Sequence, residues 1–277
     1  MDGTEKARRL IAEEREKKTG FLDLGKLQLT EVPIEIFQLS HLRSLNLGSG
    51  YVNKRGEFHR TANGDKRPSN ALPALPDGLH ALGNLVALSL VGNPLSDLSP
   101  LQGLPGLLSL NCWNTQVSDL RPLQGLTGLQ YLNCSGTQLS DLSPLQGLAG
   151  LQFLNCRDTQ VSDLSPLQGL AGLQYLNFWG TRVSDLSPLQ GLPGLQFLIC
   201  RGTQVSDLGL LQGIPGLQSL DCSGTQVSDL SPLQGIPGLR SVVCRKTQVS
   251  ALSSLQGIPG LQSLDCSGTQ VSDLSPL

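Results

Sequence analysis

The feature that most constrains this chain is a 22-residue pattern that recurs between Leu85 and Leu277. Residues 107–128 read LLSLNCWNTQVSDLRPLQGLTG, and residues 129–150 read LQYLNCSGTQLSDLSPLQGLAG. Leu85 opens a slightly different copy, and further copies begin at Leu151, Leu173, Leu195, Leu217, Leu239 and Leu261. One unit of this length cannot bury its own leucines, so the copies must stack and share a continuous core.

Each copy predicts one short strand followed by a tighter segment that contains proline. Alternation along the strand gives an inward and an outward set of side chains. In the copy at 107–117, the inward set is Leu107, Leu110, Cys112 and Val117, and the outward set is Ser109, Asn111 and Trp113. Strands of successive copies would pair in parallel, about 4.7–4.9 Å apart.

The same spacing extends upstream in a related form. Residues 21–50, FLDLGKLQLTEVPIEIFQLSHLRSLNLGSG, fit L-x-x-L-x-L-x-x-N/C-x-L, so the chain resembles the leucine-rich repeat proteins. This resemblance implies an α/β solenoid of about eleven units. Its expected form is a right-handed horseshoe with a parallel β-sheet on the concave face and short 3-10 or irregular segments on the convex face. An N-terminal capping helix would cover its first unit.

Three regions are predicted along the chain. Residues 1–20 form the capping helix, with Thr4 as its N-cap, Gly20 just after its C-terminus and an apolar stripe of Ala7, Leu10 and Ile11. Residues 21–84 hold two repeats with an insertion at about 50–71. Residues 85–277 form the array, whose last unit is incomplete.

Two of these segments leave alternatives open. The helix is either a cap for the repeat core or an amphipathic segment that binds a partner. The insertion is either a solvated excursion or a contact loop that carries Tyr51, Phe58 and His59 on a basic background. Its charged residues are Lys54, Arg55, Arg60, Lys66 and Arg67 against Glu57 and Asp65.

Three residue types that are common in catalytic or metal sites, cysteine, aspartate and threonine, each recur at one fixed position of the repeat. The seven cysteines occupy one inward position, which Phe178 takes in one copy, and they lack the C-x₂₋₄-C pairs that zinc requires. The recurring aspartates predict turn caps, and the recurring threonines predict a ladder of hydrogen bonds to neighbouring backbone. We interpret all three columns as structural. The aspartates are Asp97, Asp119, Asp141, Asp163, Asp185, Asp207, Asp229 and Asp273.

Composition narrows the function classes. The formal net charge is −2, which disfavours nucleic acid and membrane surfaces as partners. No apolar run reaches the length of a membrane span, and the charged N-terminus is not a secretory signal. An odd number of array cysteines favours a reduced, cytoplasmic setting. No phosphate loop, H-E-x-x-H or kinase motif is present, so we expect no enzyme, no metal and no cofactor.

The outward columns carry the differences between the copies, and therefore the functional information. The first column reads Ala87, Ser109, Tyr131, Phe153, Tyr175, Phe197, Ser219, Ser241, Ser263, and the middle column begins Asn111, Asn133, Asn155, Asn177. The third column contains both tryptophans and three arginines. Aromatic residues and arginine are enriched at binding hot spots, although stacked aromatics can also simply stabilise a sheet. The predicted partner-binding residues are Trp113, Tyr131, Phe153, Arg157, Tyr175, Trp179, Phe197 and Arg201.

Two more specific resemblances qualify this interpretation. The phrase VSDLSPLQGLxGLQxL is similar to the 22-residue repeats of internalins, which are secreted bacterial adhesion proteins. The stretch 7–49 resembles the start of bacterial Roco proteins, in which repeats precede a Ras-like GTPase that is not part of this sequence. We therefore expect a Roco-like signalling scaffold, with a bacterial effector or adhesin, or the regulatory part of an enzyme, as alternatives. The incomplete last unit adds self-association as a further expectation.

Overall fold

The structure is a computed structural model, and it describes residues 2–52, 58–63 and 69–275. The chain divides into two compact units, Met1–Leu139 and Ser140–Leu277. In the described residues, both units are built from three-residue strands that pair in parallel and alternate with 3-10 helices of three to five residues. The prediction of leucine-rich repeat architecture is therefore confirmed.

The first unit contains the single α-helix of the described residues, α1 (Gly3–Lys17). Its parallel strands are β1 (Phe21–Asp23), β2 (Ser44–Asn46), β5 (Ala87–Ser89), β6 (Ser109–Asn111) and β7 (Tyr131–Asn133), in that spatial order. Two further strands, β3 (Gly50–Val52) and β4 (Phe58–Arg60), form an antiparallel pair. Its 3-10 helices are Ile34–Gln38, Asp77–Ala81, Ser99–Gly103 and Arg121–Leu123.

The second unit repeats one strand and one 3-10 helix. Its parallel strands, in spatial order, are β8 (Phe153–Asn155), β9 (Tyr175–Asn177), β10 (Phe197–Ile199), β11 (Ser219–Asp221), β12 (Ser241–Val243) and β13 (Ser263–Asp265). The register joins equivalent positions, so Tyr175 lies between Phe153 and Phe197. Its 3-10 helices are Ser143–Leu145, Ser165–Leu167, Ser187–Leu189, Gly209–Gly213, Ser231–Gly235 and Ser253–Gly257.

The inward columns form the core of each unit. Leu107, Leu110, Cys112 and Val117 are fully buried, as the alternation predicts, and Phe178 is buried in the row where cysteine is missing. A leucine that loses nearly all its solvent exposure contributes about 1.5–3 kcal/mol relative to an exposed one. No single repeat has a second layer to cover its leucines, so this burial comes from the neighbouring repeats.

Local hydrogen bonds fix the turn that precedes the 3-10 helix in the repeats that carry the recurring aspartate. Asp229 Oδ1 accepts from the backbone N–H of Ser231 at 2.8 Å, and all eight predicted aspartate caps make this contact. The threonine hydroxyls bond neighbouring backbone, as predicted, and each does so within its own repeat. Thr115 donates to the carbonyl of Cys112, three residues earlier in its own repeat, rather than to an adjacent repeat. Each turn is thus closed by its own residues.

Helix α1 begins and ends at residues other than the predicted ones. The N-cap is Asp2, whose carboxylate accepts from Glu5 N–H at 2.7 Å, so the prediction of Thr4 was wrong. Asp competes well for this position, and its negative charge also suits the helix N-terminus. The C-cap is Lys18, which has φ 49° and donates its backbone N–H to the Glu14 carbonyl, so the prediction of Gly20 was wrong as well. Ala7 and Ile11 are buried, as predicted.

Glu14 connects the helix to the first repeats. Its carboxylate is almost fully buried and accepts from Thr19 Oγ1 at 2.5 Å and from Gly20 N–H at 2.7 Å, with His41 Nε2 at 2.9 Å. Burial raises the pKa of Glu14, but the hydrogen bonds from Thr19, Gly20 and His41 together bring it below its ordinary value of 4.5. The charged form therefore stabilises the attachment of the helix.

The insertion begins as a hairpin that lies on the strands. Strand β3 contacts β5, and Ser89 donates its hydroxyl to the Gly50 carbonyl. Asp23 holds the other end, because it accepts from Asn46, from the Thr61 hydroxyl and from the Ala62 N–H. Lys54, Arg55, Glu57, Asp65, Lys66 and Arg67 lie outside the described residues, so the predicted basic background stays a prediction.

We predict that Glu14→Gln weakens the attachment of α1. The variant replaces an acceptor with an NH₂ group that faces the donors of Thr19 and Gly20, which should cost about 2 kcal/mol. Because the folded pKa is depressed, the carboxylate's contribution exists above about pH 4.5 and is lost as the pH falls through the folded value. Hydrogen exchange of the helix amides should show faster opening at pH 7, with the difference shrinking below pH 4.5. The exposed Glu16→Gln is the control.

We predict that Ala251→Asp stabilises the second unit. Ala251 occupies the position of the capping aspartates, and Ser253 offers the N–H that those caps bind. A side-chain cap at such a position contributes about 0.5–1 kcal/mol. Urea denaturation should show this gain, whereas Ala251→Asn should give a smaller one because its acceptor is uncharged. No change in the midpoint for either variant would contradict the structural role assigned to the aspartate column.

Candidate functional site

The candidate site lies on the outward side of the strands in the second unit, which we call the strand face. Phe153, Tyr175 and Phe197 occupy equivalent positions of β8, β9 and β10. The rings of Phe153 and Tyr175 stack with centroids 4.3 Å apart and an interplanar angle of 8°. Phe197 is tilted and its centroid lies 6.4 Å from Tyr175. These three rings form a continuous aromatic ridge.

The ridge is not uniform in exposure. Phe153 and Tyr175 are half-buried, whereas Phe197 leaves 43% of its surface exposed. Asn177 Nδ2 lies 3.5 Å from the Tyr175 hydroxyl. Burial raises the pKa of Tyr175 above its ordinary value, and the hydrogen bond from Asn177 and the positive charge of Arg157 only partly oppose this. The ridge therefore combines one well-packed stacked pair with one ring that is free to contact another molecule.

Two arginines hold a tryptophan beside the ridge. The guanidinium carbons of Arg157 and Arg201 each lie 4.6 Å from the centroid of the Trp179 ring. One arginine comes from the preceding repeat and the other from the following repeat. Such cation–π contacts contribute about 0.5–1 kcal/mol each at exposed sites. Trp179 therefore organises two guanidinium groups and offers little free ring surface of its own.

The structure brings six of the eight predicted site residues together in the second unit. Trp113, just after β6, and Tyr131, on β7, belong to the first unit, and both are half-buried. A Cβ atom placed on Gly136 would lie 3.6 Å from Trp113 Cδ1, so this indole packs over the turn of the next repeat. The role of all eight residues in binding a partner remains a prediction.

The middle outward column proved to be structural, contrary to the expectation that outward columns carry functional information. Asn111, Asn133 and Asn177 are buried. The side-chain oxygen of Asn177 accepts from Trp179 N–H at 3.0 Å, and Asn111 does the same for Trp113. These residues terminate the strand with an Asx-type turn, so their side chains fold back on the backbone instead of facing solvent.

Sequence reasoning also missed Phe21 on the first strand, which joins Tyr51 and His59 of the insertion in a second aromatic group. Phe21 is in the same register as Ser44 and Ala87, so it belongs to the first outward column. Its ring centroid lies 4.8 Å from that of Tyr51, which stacks in turn on His59 at 5.6 Å. Extending the column to the first two repeats would have found Phe21. The small residues Ser44 and Ala87 leave room for the hairpin that carries Tyr51.

The cysteine column has the properties of a packed core. The described structure places six of the seven thiols in the buried class and all seven in the reduced form. Burial raises the pKa of Cys112, Cys156 and Cys200 to about 12, so they stay protonated at neutral pH. Within the described ranges, no group of three or more His, Cys, Asp or Glu side chains is arranged to hold a metal ion.

We predict that Tyr175→Ser destabilises the protein more than Phe197→Ser. Tyr175 has aromatic neighbours on both sides and is half-buried, whereas Phe197 has one tilted neighbour and is exposed. The expected losses are about 2 kcal/mol and below about 1 kcal/mol respectively. Urea denaturation measures both. Equal losses would mean that the whole ridge serves the sheet, and that Phe197 has no spare surface for binding.

Comparison with known sequences places the repeats in a family. The sequence profile described as Leucine Rich repeats (2 copies) matches residues 105–147, 149–191 and 193–235. A search of curated proteins gave no match. No helix among the described residues is long and apolar enough to cross a membrane.

Solved structures of leucine-rich repeat proteins also match this chain. An internalin (inlF) from Listeria monocytogenes is 25% identical with a TM-score of 0.69, over 95% of this chain and 85% of its own. An internalin C2 (inlC2) of the same species is 31% identical with a TM-score of 0.65, over 70% and 84%. The functional domain of InlJ from Listeria monocytogenes, which includes a cysteine ladder, is 21% identical with a TM-score of 0.69, over 95% of this chain and 57% of its own, and shows the fold alone. From its repeats and these relatives, the chain belongs to the leucine-rich repeat family and has Listeria internalins among its structural neighbours.

Proposed function

We propose that this chain is a protein-binding scaffold, and that its partner contacts the second unit at an aromatic–arginine patch. The patch consists of Phe153, Arg157, Tyr175, Trp179, Phe197 and Arg201. The leucine-rich repeat fold is typical of protein–protein interaction domains. The observation that carries the proposal is the exposed ring of Phe197 at the end of a stacked pair, next to an arginine-flanked tryptophan.

The composition of the patch supports binding over a purely structural role. Tyr, Trp and Arg are the residue types most enriched at interface hot spots. A role in sheet stability accounts for the stacked pair Phe153 and Tyr175, but it gives no reason for leaving 43% of Phe197 exposed. Large exposed apolar surface next to polar groups is typical of protein–protein contact sites. Trp113 and Tyr131 of the first unit are included in the proposal as further contact residues.

The patch also disfavours a nucleic-acid platform. Base stacking requires open aromatic faces beside a groove with excess positive charge. Both arginines occupy the ring of Trp179, and the acidic residue Asp158 lies next to one of them. A protein surface, with mixed apolar and charged groups, matches this arrangement better. Neither a cofactor nor catalysis forms part of the proposal.

We propose one cellular role for the chain and keep two alternatives. The leading form is a cytoplasmic scaffold of a bacterial Roco-like signalling protein, which rests on the resemblance of residues 7–49. A bacterial effector or adhesin is favoured by the internalin neighbours at 25% and 31% identity. The regulatory repeat region of an enzyme is the third form. Fractionation of cells that express the full-length gene separates the secreted form from the other two.

We predict that Phe153→Ser combined with Tyr175→Ser abolishes capture of protein partners. The double variant removes the stacked pair and the support of Phe197, so the contact surface loses its apolar centre. Pull-downs with the wild type and the variant, each first shown to be folded by circular dichroism, make the comparison. Gln168→Ser combined with Gln190→Ser, at exposed positions just after the 3-10 helices, is the matched control. Unchanged capture by a folded double variant would contradict the proposed function.

A further inference from the structure

The two arginines on Trp179 differ in their ion pairs. Arg157 Nε lies 3.0 Å from a carboxylate oxygen of Asp158, and the arginine side chain is 35% exposed. Arg201 is exposed, and its guanidinium carbon lies 4.6 Å from the centroid of the Trp179 ring. No described carboxylate forms an ion pair with it. The edge of its guanidinium group therefore keeps N–H donors available to another molecule.

The stacking on Trp179 prepares Arg201 for binding. A guanidinium group that lies over a ring is restricted in orientation, so less side-chain entropy is lost when its edge binds an acceptor. The ring occupies one side of the guanidinium group and leaves N–H donors on its other sides. Two parallel N–H donors at such an edge match the two oxygens of a carboxylate.

The net charge of the strand face indicates how much negative charge a ligand at Arg201 should carry. In the middle and third outward columns of the second unit, counted together with the residue that follows each third-column position, cationic side chains exceed acidic ones by only one. The cationic side chains are Arg157, Arg201, Arg245 and Lys246, and the acidic ones are Asp158, Asp221 and Asp265. Arg245 is already paired with Asp265, with Nε 2.7 Å from Oδ2. A single negative charge balances this surface, whereas a phosphate dianion or a nucleic acid would exceed it.

The residues around Arg201 indicate which group the partner carries next to its negative charge. Phe197 is four residues earlier in the same repeat, and its exposed ring continues the ridge from Tyr175. When an acidic group of the partner binds Arg201, the partner residue next to it therefore lies over the apolar ring of Phe197. Burying an apolar side chain on Phe197 would also exclude water from the ion pair and strengthen it.

We propose that the partner presents an Asp or Glu side chain to Arg201, adjacent to an aromatic or aliphatic residue that packs on Phe197. This assignment rests on the proposed function and deepens it, because it gives the chemistry of the partner's contact segment. Arg157 acts as a positioning residue: it holds the second face of Trp179 and stays paired with Asp158.

A displayed library of random twelve-residue peptides tests the assignment. Each peptide is fused at its C-terminus, so that side chains supply its carboxylates. The library is selected in parallel on the wild type, on Arg201→Gln, and on the double variant Phe153→Ser with Tyr175→Ser. Arg182→Gln, an exposed arginine in the turn of the Trp179 repeat, is the matched control.

The expected result is enrichment of Asp or Glu next to an aromatic or aliphatic residue on the wild type and on Arg182→Gln. On Arg201→Gln the acidic preference should disappear while the apolar preference remains. Enrichment of apolar peptides without an acidic residue on the wild type would overturn the assignment and leave the proposed function standing. An acidic preference that survives Arg201→Gln would also overturn it. Equal selection on the wild type and the double variant would instead contradict the proposed function itself.

Affinity measurements on one enriched peptide complete the test. Loss of a bidentate charged contact should raise the Kd about tenfold in Arg201→Gln and leave it unchanged in Arg182→Gln. Replacing the acidic residue of the peptide by its amide should weaken binding to the wild type about tenfold and have little effect on Arg201→Gln. Additive losses from the two changes would show that the acid and Arg201 do not meet, and would reject the assignment.

Discussion

Every element of this protein depends on the burial of the inward side chains by neighbouring repeats. A three-residue strand such as β6, in which only Leu110 points inward, has no independent stability, because the apolar side chains of one repeat lie in one layer. Only an adjacent repeat with the same spacing can cover them. This explains why the inward residues, such as Leu110 and Cys112, vary so little between copies and are fully buried. The same burial keeps the thiol of Cys112 protonated at neutral pH.

The same constraint leaves the outward positions free to differ. A residue on the strand face contacts its equivalents on the adjacent strands, and little else restricts its type. In the second unit this freedom has produced a stacked ridge that ends in an exposed ring, with a tryptophan held by two arginines. In the first unit the residues Ser44 and Ala87 are small, and a hairpin lies over that part of the sheet instead. The two units thus use equivalent positions in different ways.

The sequence was sufficient for the strands, the inward columns and the aspartate turns, because each is specified by residues that recur at one spacing. It failed where the outcome depended on competition between nearby groups. Asp2 and Lys18 end the helix in place of Thr4 and Gly20, and neighbouring residues of similar propensity cannot be ranked from sequence alone. The middle column was also misjudged: strand alternation places Asn177 outward, but its side chain bonds back to the backbone as the strand ends. The pairing of Arg157 with Asp158, and the freedom of Arg201, depend on side-chain geometry that no repeat pattern specifies.

The difference between Arg157 and Arg201 shows how a repetitive scaffold can become specific. Both arginines occupy the same column and contact the same ring, so the repeat gives them equivalent backbone positions. They differ because Asp158 follows Arg157, whereas Gly202 follows Arg201 with a φ of 64°. At that turn position an acidic residue neutralises the preceding arginine, and glycine leaves it unpaired. One substitution in a turn that the core does not restrict therefore decides which arginine is available to a partner.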